Sequence, residues 1–573
     1  MRSAAAARVL CISFIVAAGC APAATAPGRQ PGVANAPAAD PAGPPKTLII
    51  GQSYARDGLA PWFIMGSGRV LQYEELFSNF LSTTDEKGNT VGRLATKLPT
   101  VDDGSLTILP DGRMRTTWQI RPNAKWHDGA PVRGEDVIFG WEVAGHPEIP
   151  VNLGPTYRTI DSIQLIDPLT IEIMFKTTYY RAFELGFRDL YPLPKHMLAD
   201  AFQGDKTAFM NLPAWSNGYI HTGPFRVAEF EAGENLVLQR FDDYFLGRPK
   251  LNTIIIRAVR DNNAVYANLR AGAIDIAGEL PDDLSADLRD DWKLTGEGFV
   301  VSQQGNWRFV SIQFHPEWGG PPELQQDVRT RRGLAFAIDR DAVRSVVVPG
   351  YADTEADSFM LKSDPKYAAV GTPFAQYRYD TTRALQELAE AGWRRAADGR
   401  MMNAAGRQVQ LSLRTTAEYE KELSAISGGW RDLGLDVAQE VTPRPLARDN
   451  EWNAKFPSME ISAQANSDGI FRRIDSRLQS TPQNRFVGSN AGHYVNPVLD
   501  SLLDRFYSTI DDRQQGALLK EMGEMIAVDL PLLPNYYSVN TMVALKHVKA
   551  FDDFAGATRS GTSARNAHLW DRV

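Results

Sequence analysis

The stretch Gln119-Ile120-Arg121-Pro122-Asn123-Ala124-Lys125-Trp126-His127-Asp128-Gly129-Ala130-Pro131-Val132-Arg133-Gly134-Glu135-Asp136-Val137 decides the fold of this chain. Pro122 ends a strand, and Lys125–His127 is a second, short extended piece. Asp128-Gly129 predicts a tight turn, because glycine tolerates positive φ and aspartate hydrogen-bonds its own backbone. Glu135-Asp136 before an apolar stripe predicts a helix, since acidic residues favour the positive end of the helix dipole.

This stretch resembles the signature of the family 5 extracellular solute-binding proteins, the peptide- and nickel-type capture subunits of ATP-driven importers. The family pattern reads Leu-Arg-x-x-Val-x-Phe-His-Asp-Gly-x-Pro-x-Thr-Ala-Glu-Asp-Val. The chain keeps the residues Arg121, Trp126 at the aromatic place, His127-Asp128-Gly129, Pro131 and Glu135-Asp136-Val137. It departs at Arg133-Gly134, where the family has Thr-Ala, and so loses a threonine cap.

Further blocks of the family pattern follow in the same order between residues 46 and about 550. They include Thr222-Gly223-Pro224-Phe225, Asp242–Pro249, Leu334–Arg340 and the set Tyr494, Asn496, Pro497 and Asp500. The resemblance implies an α/β, periplasmic-binding-protein-like class II fold, with two lobes built from three domains. The first domain would be discontinuous.

The expected organisation has seven segments. They are a signal peptide over 1–19, a disordered lipoprotein tether over 20–45, the first part of domain I over 46–88, an inserted mainly β subdomain over 89–214, the second part of domain I over 215–299, the second lobe over 300–533 and the return to domain I over 534–573. The two crossovers between the lobes are expected near residues 298–304 and 530–536.

The N-terminus has the features of an export signal. Arg2 and Arg8 precede an apolar run over Val9–Ala18, which is too short to span a bilayer. Val16–Cys20 resembles a bacterial lipobox, although Ala17 stands where leucine is more usual, and Cys20 would then be the lipidated residue. The alternative is an ordinary signal peptide. Residues 21–45 are nearly all small residues and proline, which suits a tether.

Composition limits the classes of function. A chain of 573 residues is too long for one core. The net charge of −8, which becomes −10 once Arg2 and Arg8 are removed with the first 19 residues, argues against a nucleic-acid partner. Only Cys11 and Cys20 occur, so the rest of the chain has no disulfide, thiol nucleophile or thiolate metal site.

The sequence has no recognised catalytic motif. A Gly-x-Ser-x-Gly elbow, a phosphate-binding Gly-Lys loop and a His-Glu-x-x-His pair are all missing, and the eight histidines are scattered. His127-Asp128 is interpreted as part of a structural turn. We therefore expect neither an enzyme nor a cofactor. An exported hydrolase with an unrecognised site and a receptor that signals without transport are the alternatives from other classes.

The resemblance implies that two hinged lobes close on a ligand and deliver it to a permease. Because ligands bind beyond the carboxyl ends of strands, Tyr54 and Trp62 are candidates for the cleft wall, although Trp62 would equally suit packing under its own loop. Positions next to the crossovers add Asn306, Trp307 and Tyr536. No metal site is expected.

The ligand is the most open point. In peptide-binding members a Trp-x-x-Asp-Tyr-x-Asp-Pro segment supplies an aspartate to the peptide amino group. The corresponding Ser462–Ile470 lacks the Trp, Tyr and Pro, and leaves Asp468 as the candidate amine partner. Arg472 and Arg473 follow, either as carboxylate ligands or as solvated surface residues.

The expected partners are a peptide or related small solute and an ABC permease in the cytoplasmic membrane. An oligosaccharide, an opine or a metal chelate is the alternative ligand. The protein is expected to be a monomer, in the periplasm or at the cell surface, and attached to the membrane only by a lipid anchor.

Overall fold

The structure is a computed structural model. It describes residues 44–53, 58–61, 73–85, 87–149, 155–259, 261–278, 280–447, 449–464, 469–551 and 563–573. Pro45–Val573 form one compact unit.

The strands are β1 Thr47–Gln52, β2 Ser82–Thr84, β3 Thr90–Gly92, β4 Leu106–Ile108, β5 Met114–Gln119, β6 Ile160–Asp167, β7 Thr170–Phe175, β8 Phe225–Glu231, β9 Asn235–Arg240, β10 Thr253–Ala258, β11 Ile276–Gly278, β12 Gly298–Ile312, β13 Arg394–Arg395, β14 Met401–Met402, β15 Gln410–Thr416, β16 Asp436–Thr442, β17 Met459–Gln464, β18 Leu532–Leu545, β19 Val548–Lys549 and β20 Asp571–Arg572.

The α-helices are α1 Gly134–Gly145, α2 Pro155–Thr159, α3 Lys195–Gln203, α4 Lys206–Met210, α5 Asn262–Arg270, α6 Asp282–Thr295, α7 Pro322–Gln326, α8 Val328–Phe336, α9 Arg340–Val347, α10 Tyr367–Val370, α11 Thr381–Glu390, α12 Glu420–Asp432, α13 Asn450–Ala454, α14 Pro497–Tyr507 and α15 Asp512–Asp529.

A ten-stranded sheet runs through the whole unit in the order β16-β15-β17-β12-β18-β11-β1-β10-β9-β8. A separate four-stranded sheet, β4-β5-β7-β6, is formed by the segment between β3 and β8. We call β1 and β8–β11 with that segment the first lobe, and β15–β17 with their helices the second lobe. The strands β12 and β18 are common to both.

The shared strands β12 and β18 pair antiparallel along almost their whole length, from Gly298–Leu545 to Ser311–Leu532. Their pairing is regular up to Gln304 and then shifts register twice, between Gln304 and Trp307 and between Trp307 and Phe309. Such irregularities locally increase bend and twist. The two lobes are therefore joined by a bent two-stranded ribbon.

The first lobe is assembled from distant parts of the chain around Asp275. Its buried carboxylate accepts a hydrogen bond from the Ile49 backbone N–H at 2.7 Å and lies 2.7 Å from Nε2 of His547. Arg572 Nη2 lies 3.2 Å from the same carboxylate. These contacts hold β1, β11 and the last strands together, as a discontinuous domain requires.

The stretch around His127 forms the predicted turn and helix. Gly129 has φ +92°, and the Asp128 carboxylate accepts a hydrogen bond from the Ala130 N–H at 3.0 Å. Helix α1 begins at Gly134 although no threonine caps it. Instead, the Asp136 carboxylate accepts from the Arg133 N–H at 2.9 Å, so an acid inside the first turn replaces the missing cap.

Two further predictions concern single elements. Apolar residues that alternate after Asp167-Pro168 predict a hairpin over Asp161–Lys176, which is confirmed as β6 and β7. The pattern of Val70–Phe77 predicts a helix, and in the described part of this segment Tyr73–Leu76 form a 3₁₀ helix.

Candidate functional site

The carboxyl ends of several strands meet beside the irregular part of the β12–β18 ribbon. β1 is parallel to β10 and β11. All three strands point towards the C-terminal half of β12, which pairs with the second lobe. From the other side, β17 runs antiparallel to β12 and ends with Gln464 opposite Trp307. Strand ends from both lobes therefore lie beside the irregular part of the ribbon. The carboxyl ends of strands are the position expected for a ligand in an open α/β sheet.

Four of the predicted functional residues lie outside the described residues. They are Cys20, Tyr54, Trp62 and Asp468. The other three, Asn306, Trp307 and Tyr536, lie on the ribbon itself.

Trp307 is packed into the second lobe. Its ring is 1% exposed and stacks on Phe374 with a centroid distance of 5.6 Å and an interplanar angle of 18°. Its indole N–H has no hydrogen-bond partner among the residues that the structure describes. A buried donor without a partner costs free energy, so a ligand or water that offered an acceptor to the indole N–H would stabilise this position.

Asn306 occupies the first register shift. It is half-buried, and its backbone N–H donates to Ser538 Oγ at 2.8 Å across the ribbon. This hydrogen bond links the two strands of the ribbon at the register shift.

Tyr536 belongs to a buried polar cluster that the sequence did not reveal. The Glu422 carboxylate, from the first turn of α12, accepts hydrogen bonds from Arg308 Nη2 at 2.6 Å, Asn535 Nδ2 at 2.8 Å and Tyr536 Oη at 3.2 Å. Glu422 and Asn535 are 0% exposed and Arg308 is 2% exposed. One carboxylate thus ties both strands of the ribbon to one helix of the second lobe.

The electrostatics of this cluster follow from its burial. Burial alone would lower the pKa of Arg308, but the Glu422 carboxylate reverses this and raises it. Burial, followed by the Glu422 charge, raises the pKa of Tyr536 well above the ordinary tyrosine value. The Arg308 guanidinium also lies 3.7 Å from the centroid of the Tyr419 ring. Arg308 therefore stays protonated, and Tyr536 stays neutral.

Arg473 is half-buried beside the same strand ends and not a solvated surface residue. Its Nε donates to Gln464 Oε1 at 3.1 Å and its Nη2 to the Ala463 carbonyl at 3.2 Å, and it lies 5.6 Å from the Phe309 ring. No carboxylate of the described residues forms an ion pair with it. The hydrogen bonds of the guanidinium thus go to neutral groups, and the Glu460 carboxylate acts on it only through its charge.

The His127 ring is held by backbone groups on both of its nitrogens. Nε2 lies 3.0 Å from the Gly223 carbonyl and Nδ1 accepts a hydrogen bond from the His221 N–H at 3.3 Å. Burial lowers the pKa of His127 to about 4. The ring is therefore neutral at pH 7, with its proton on Nε2, and both nitrogens are occupied by backbone groups. This agrees with the interpretation of His127-Asp128 as a turn.

The described residues contain no group of three or more His, Cys, Asp or Glu side chains arranged to hold a metal ion. In the same part of the chain, no helix combines the length and the apolar character needed to cross a bilayer.

Known proteins share this sequence pattern and fold. The sequence model of the bacterial extracellular solute-binding proteins, family 5, middle part, matches residues 89–469. An oligopeptide-binding protein, AppA of Bacillus subtilis, is 24% identical over 495 residues, covering 83% of this chain and 84% of that protein.

Two solved structures show the same architecture. The oligopeptide-binding protein of Thermus thermophilus, complexed with a pentapeptide, has a TM-score of 0.71 and 21% identity over 91% of this chain and 96% of its own. NikZ of Campylobacter jejuni, in complex with Ni(L-His), has a TM-score of 0.72 and 19% identity over 92% of this chain and 100% of its own. The predicted class II fold is thereby confirmed.

Proposed function

The chain belongs to the bacterial extracellular solute-binding proteins of family 5, and from this premise we propose that it captures short peptides and delivers them to an ABC permease. The observation that carries the proposal is the two-stranded ribbon, which joins two lobes whose strand ends lie beside its register shifts. Closure about the ribbon would bury a ligand and strengthen its polar contacts, and no covalent bond is made or broken. We accordingly propose that the protein is not an enzyme.

The two lobes contact each other at two places. On one side, the Tyr180 N–H donates to the Tyr507 carbonyl at 3.1 Å, and the Tyr180 ring packs 4.8 Å from that of Phe506. On the other side, Asp283 of α6 lies 3.5 Å from Lys421 of α12. These contacts support a mechanism in which the two lobes meet around the ligand.

The proposed ligand-binding residues are Tyr54, Trp62, Asn306, Trp307, Asp468 and Tyr536. The support for Asn306, Trp307 and Tyr536 is their place on the ribbon, and for the others it is their place in the segments that follow β1 and β17 in the sequence. Arg473 joins them as a candidate partner for a ligand carboxylate, because it forms no ion pair with a carboxylate of the described residues.

A second ligand class is favoured by one observation. Ser462–Ile470 lacks the aromatic and proline residues that accompany the amine-binding aspartate in the peptide-binding members that this segment resembles. A single non-peptide solute, such as an oligosaccharide, an opine or a metal chelate, is therefore the alternative ligand in the same role.

We further propose export and anchoring through the lipobox-like segment. Cys20 would carry the lipid, 20–45 would be the tether, and the monomeric binding domain would act in the periplasm or at the cell surface. The domain boundaries proposed are those predicted from the sequence. Cys20→Ala is expected to move the protein from the membrane fraction to the soluble fraction, and a variant that stays in the membrane fraction would contradict the anchor.

The ligand can be identified by native mass spectrometry of the purified Cys20→Ala protein, followed by denaturation and analysis of the released compound. A mixed population of short peptides supports the proposal. A single non-peptide compound would contradict the peptide proposal and support the alternative ligand class. Progressive cleavage of added peptides by the pure protein would overturn the binding role itself.

A further inference from the structure

The ten-stranded sheet is narrowest between the two lobes. The first-lobe strand β11 pairs with β18 at residues 542–544, and the second-lobe strand β17 pairs with β12 at residues 307–312. Between these places, residues 302–304 of β12 pair with residues 539–541 of β18, and neither segment pairs with a further strand that the structure describes. A two-stranded ribbon has little stability of its own, so bending between the lobes should be concentrated at this narrow stretch.

The two register shifts of the ribbon lie next to the narrow stretch and compensate each other. β12 has one extra residue at 305–306, opposite Ser538, and β18 has one extra residue at 535–536, opposite Arg308. The strands consequently have the same register before the first shift and after the second. Such irregularities let the ribbon bend locally while its pairing on both sides is preserved.

A segment of the second lobe, residues 350–362, lies beside the narrow stretch, and we call it the strap. It is fixed to the second lobe by Arg340 of α9, a helix that packs on α12, because Arg340 Nη1 donates to the Ala356 carbonyl at 3.2 Å. The strap also bonds to β18, where the Tyr537 N–H donates to the Thr354 carbonyl at 2.8 Å. The strap is therefore held between the second lobe and the ribbon.

Gln304 joins the strap to the narrow stretch through both ends of its side-chain amide. Its Nε2 donates to the Asp353 carbonyl, and its Oε1 accepts a hydrogen bond from the Lys362 N–H at 2.7 Å. Lys362 Nζ in turn lies 2.8 Å from Asp353 Oδ1, so the two residues that bond the amide also form an ion pair with each other. One side chain thus connects two distant positions of the strap with β12.

The strap also contacts the first lobe through helix α6, whose Leu288 shares a core cluster with residues of α5 and β11. Arg289 Nη1 donates to the Gly350 carbonyl at 3.1 Å, and its guanidinium lies 4.6 Å from the centroid of the Tyr351 ring. Tyr351 Oη lies 2.9 Å from Ser285 Oγ, and Ser285 is 0% exposed. The strap therefore reaches from the second lobe to the first.

We propose that the strap is a third, non-covalent connection between the lobes, beside the two strands of the ribbon, and that Gln304 is the residue that positions it. A change in the angle between the lobes moves α6 relative to the second lobe, so it has to break the contacts at Gly350 and Tyr351. The strap thereby favours the arrangement in which the lobes contact each other. This inference rests on the proposed function only in requiring that the lobes move relative to each other.

The size of the effect follows from the bonds involved. One net intramolecular hydrogen bond changes an equilibrium ratio by about two- to tenfold. Gln304→Ala removes two such bonds, so the ratio of contacting to separated lobes should fall by at least about twofold. Tyr351→Phe removes one hydroxyl group and should lower the same ratio by about two- to tenfold.

The test measures the lobe separation of the full chain without a ligand. Cys11 and Cys20 are replaced by serine, and spin labels are attached to Glu229→Cys and Val441→Cys, whose parent residues are exposed on the two edge strands of the ten-stranded sheet, β8 and β16. Electron–electron distance measurements then give the distribution of separations. In Gln304→Ala, the population at separations longer than the main separation of the parent protein should increase.

Gln303→Ala is the matched control. Gln303 is the preceding residue of β12 and is also half-buried, but its side chain makes no hydrogen bond with the described residues. This variant should keep the distribution of the parent protein. An unchanged distribution in Gln304→Ala overturns the strap. An equal change in Gln303→Ala overturns it as well, because the effect would then belong to the ribbon as a whole.

Tyr351→Phe tests the other end of the strap, and Tyr266→Phe is its control, because the Tyr266 hydroxyl bonds to Asp287 within the first lobe. Longer separations are expected in Tyr351→Phe only, and identical distributions in the two variants would contradict the contact with α6. Because no ligand is present, these results are separate from the identification of a bound solute. A protein that holds peptides but keeps its distribution in Gln304→Ala refutes the strap and leaves the capture role intact.

Discussion

At the scale of single residues, the histidine of the His127-Asp128-Gly129 turn connects the two sheets of the first lobe. Its ring is bonded on both nitrogens to the backbone of His221 and Gly223, which lead into β8. A proton on Nδ1 would remove the acceptor that the His221 N–H needs. The fold therefore depends on a neutral imidazole.

This dependence predicts acid sensitivity. The pKa of His127 is lowered from 6.5 in the unfolded chain to about 4 in the folded protein. Its contribution is complete above pH 6.5 and is lost as pH falls towards 4. Between pH 7 and pH 5 the free energy of unfolding should fall by about 2 kcal/mol from this residue. Urea unfolding at several pH values measures it. His127→Gln should show a shallower pH dependence, and an unchanged one would contradict the structural role of the neutral ring.

Glu422 is the second residue whose charge is structural. Removing one partner of a buried ion pair leaves the other charge uncompensated, which costs about 3–5 kcal/mol. Glu422→Gln keeps the shape but leaves Arg308 unpaired, so its free energy of unfolding should drop by that amount in urea titrations. Glu420→Gln changes an exposed acid on the same helical turn and should stay within about 0.5 kcal/mol of the parent. Equal losses in both variants would contradict a specific buried pair.

At the scale of elements, local signals in the sequence were sufficient. Asn496-Pro497 before an apolar stripe predicts a helix start, which is that of α14, where the Asn496 Oδ1 accepts hydrogen bonds from the N–H groups of Val498 and Leu499, both at 3.1 Å. Likewise, Tyr379-Asp380-Thr381 predicts the start of a helix and Gly392 its end, and this helix is α11, followed by Gly392 at φ +94°. Caps and turns are predictable because the residues that bond are only two to four positions apart.

The cap of α14 gives a direct test. Asn496→Ala removes two hydrogen bonds to otherwise unpaired N–H groups, and also those from Asn496 Nδ2 to Tyr494 Oη at 3.0 Å and Asp529 Oδ2 at 3.2 Å. It should lower the free energy of unfolding by at least about 1 kcal/mol. Val498→Ala, in the same turn at a side chain that is 61% exposed, should change it by less than half of that. Chemical denaturation of the three proteins measures both differences. A larger loss at Val498 than at Asn496 would show that packing, and not capping, fixes this helix.

At the scale of the whole molecule, the family blocks predicted the fold class, because their order along the chain carries information on topology. The polar cluster of the ribbon was not predicted. Arg308 and Glu422 are 114 residues apart, and no local pattern marks them as partners. Likewise, alternation along β12 shows which residues share a face, but the two register shifts decide where Trp307 points. Long-range pairing of side chains is therefore what the sequence left open.

The continuity of the ten-stranded sheet predicts how the molecule unfolds. Because β12 and β18 provide pairing to both β11 of the first lobe and β17 of the second, loss of either lobe removes the neighbours of the other. Differential scanning calorimetry without a ligand should therefore show one main transition that involves both lobes. Glu422→Gln, whose change lies in the second lobe, should move the whole transition to lower temperature. Two resolved transitions, of which only one moves, would mean that the lobes are stabilised independently and that the ribbon is only a tether between them.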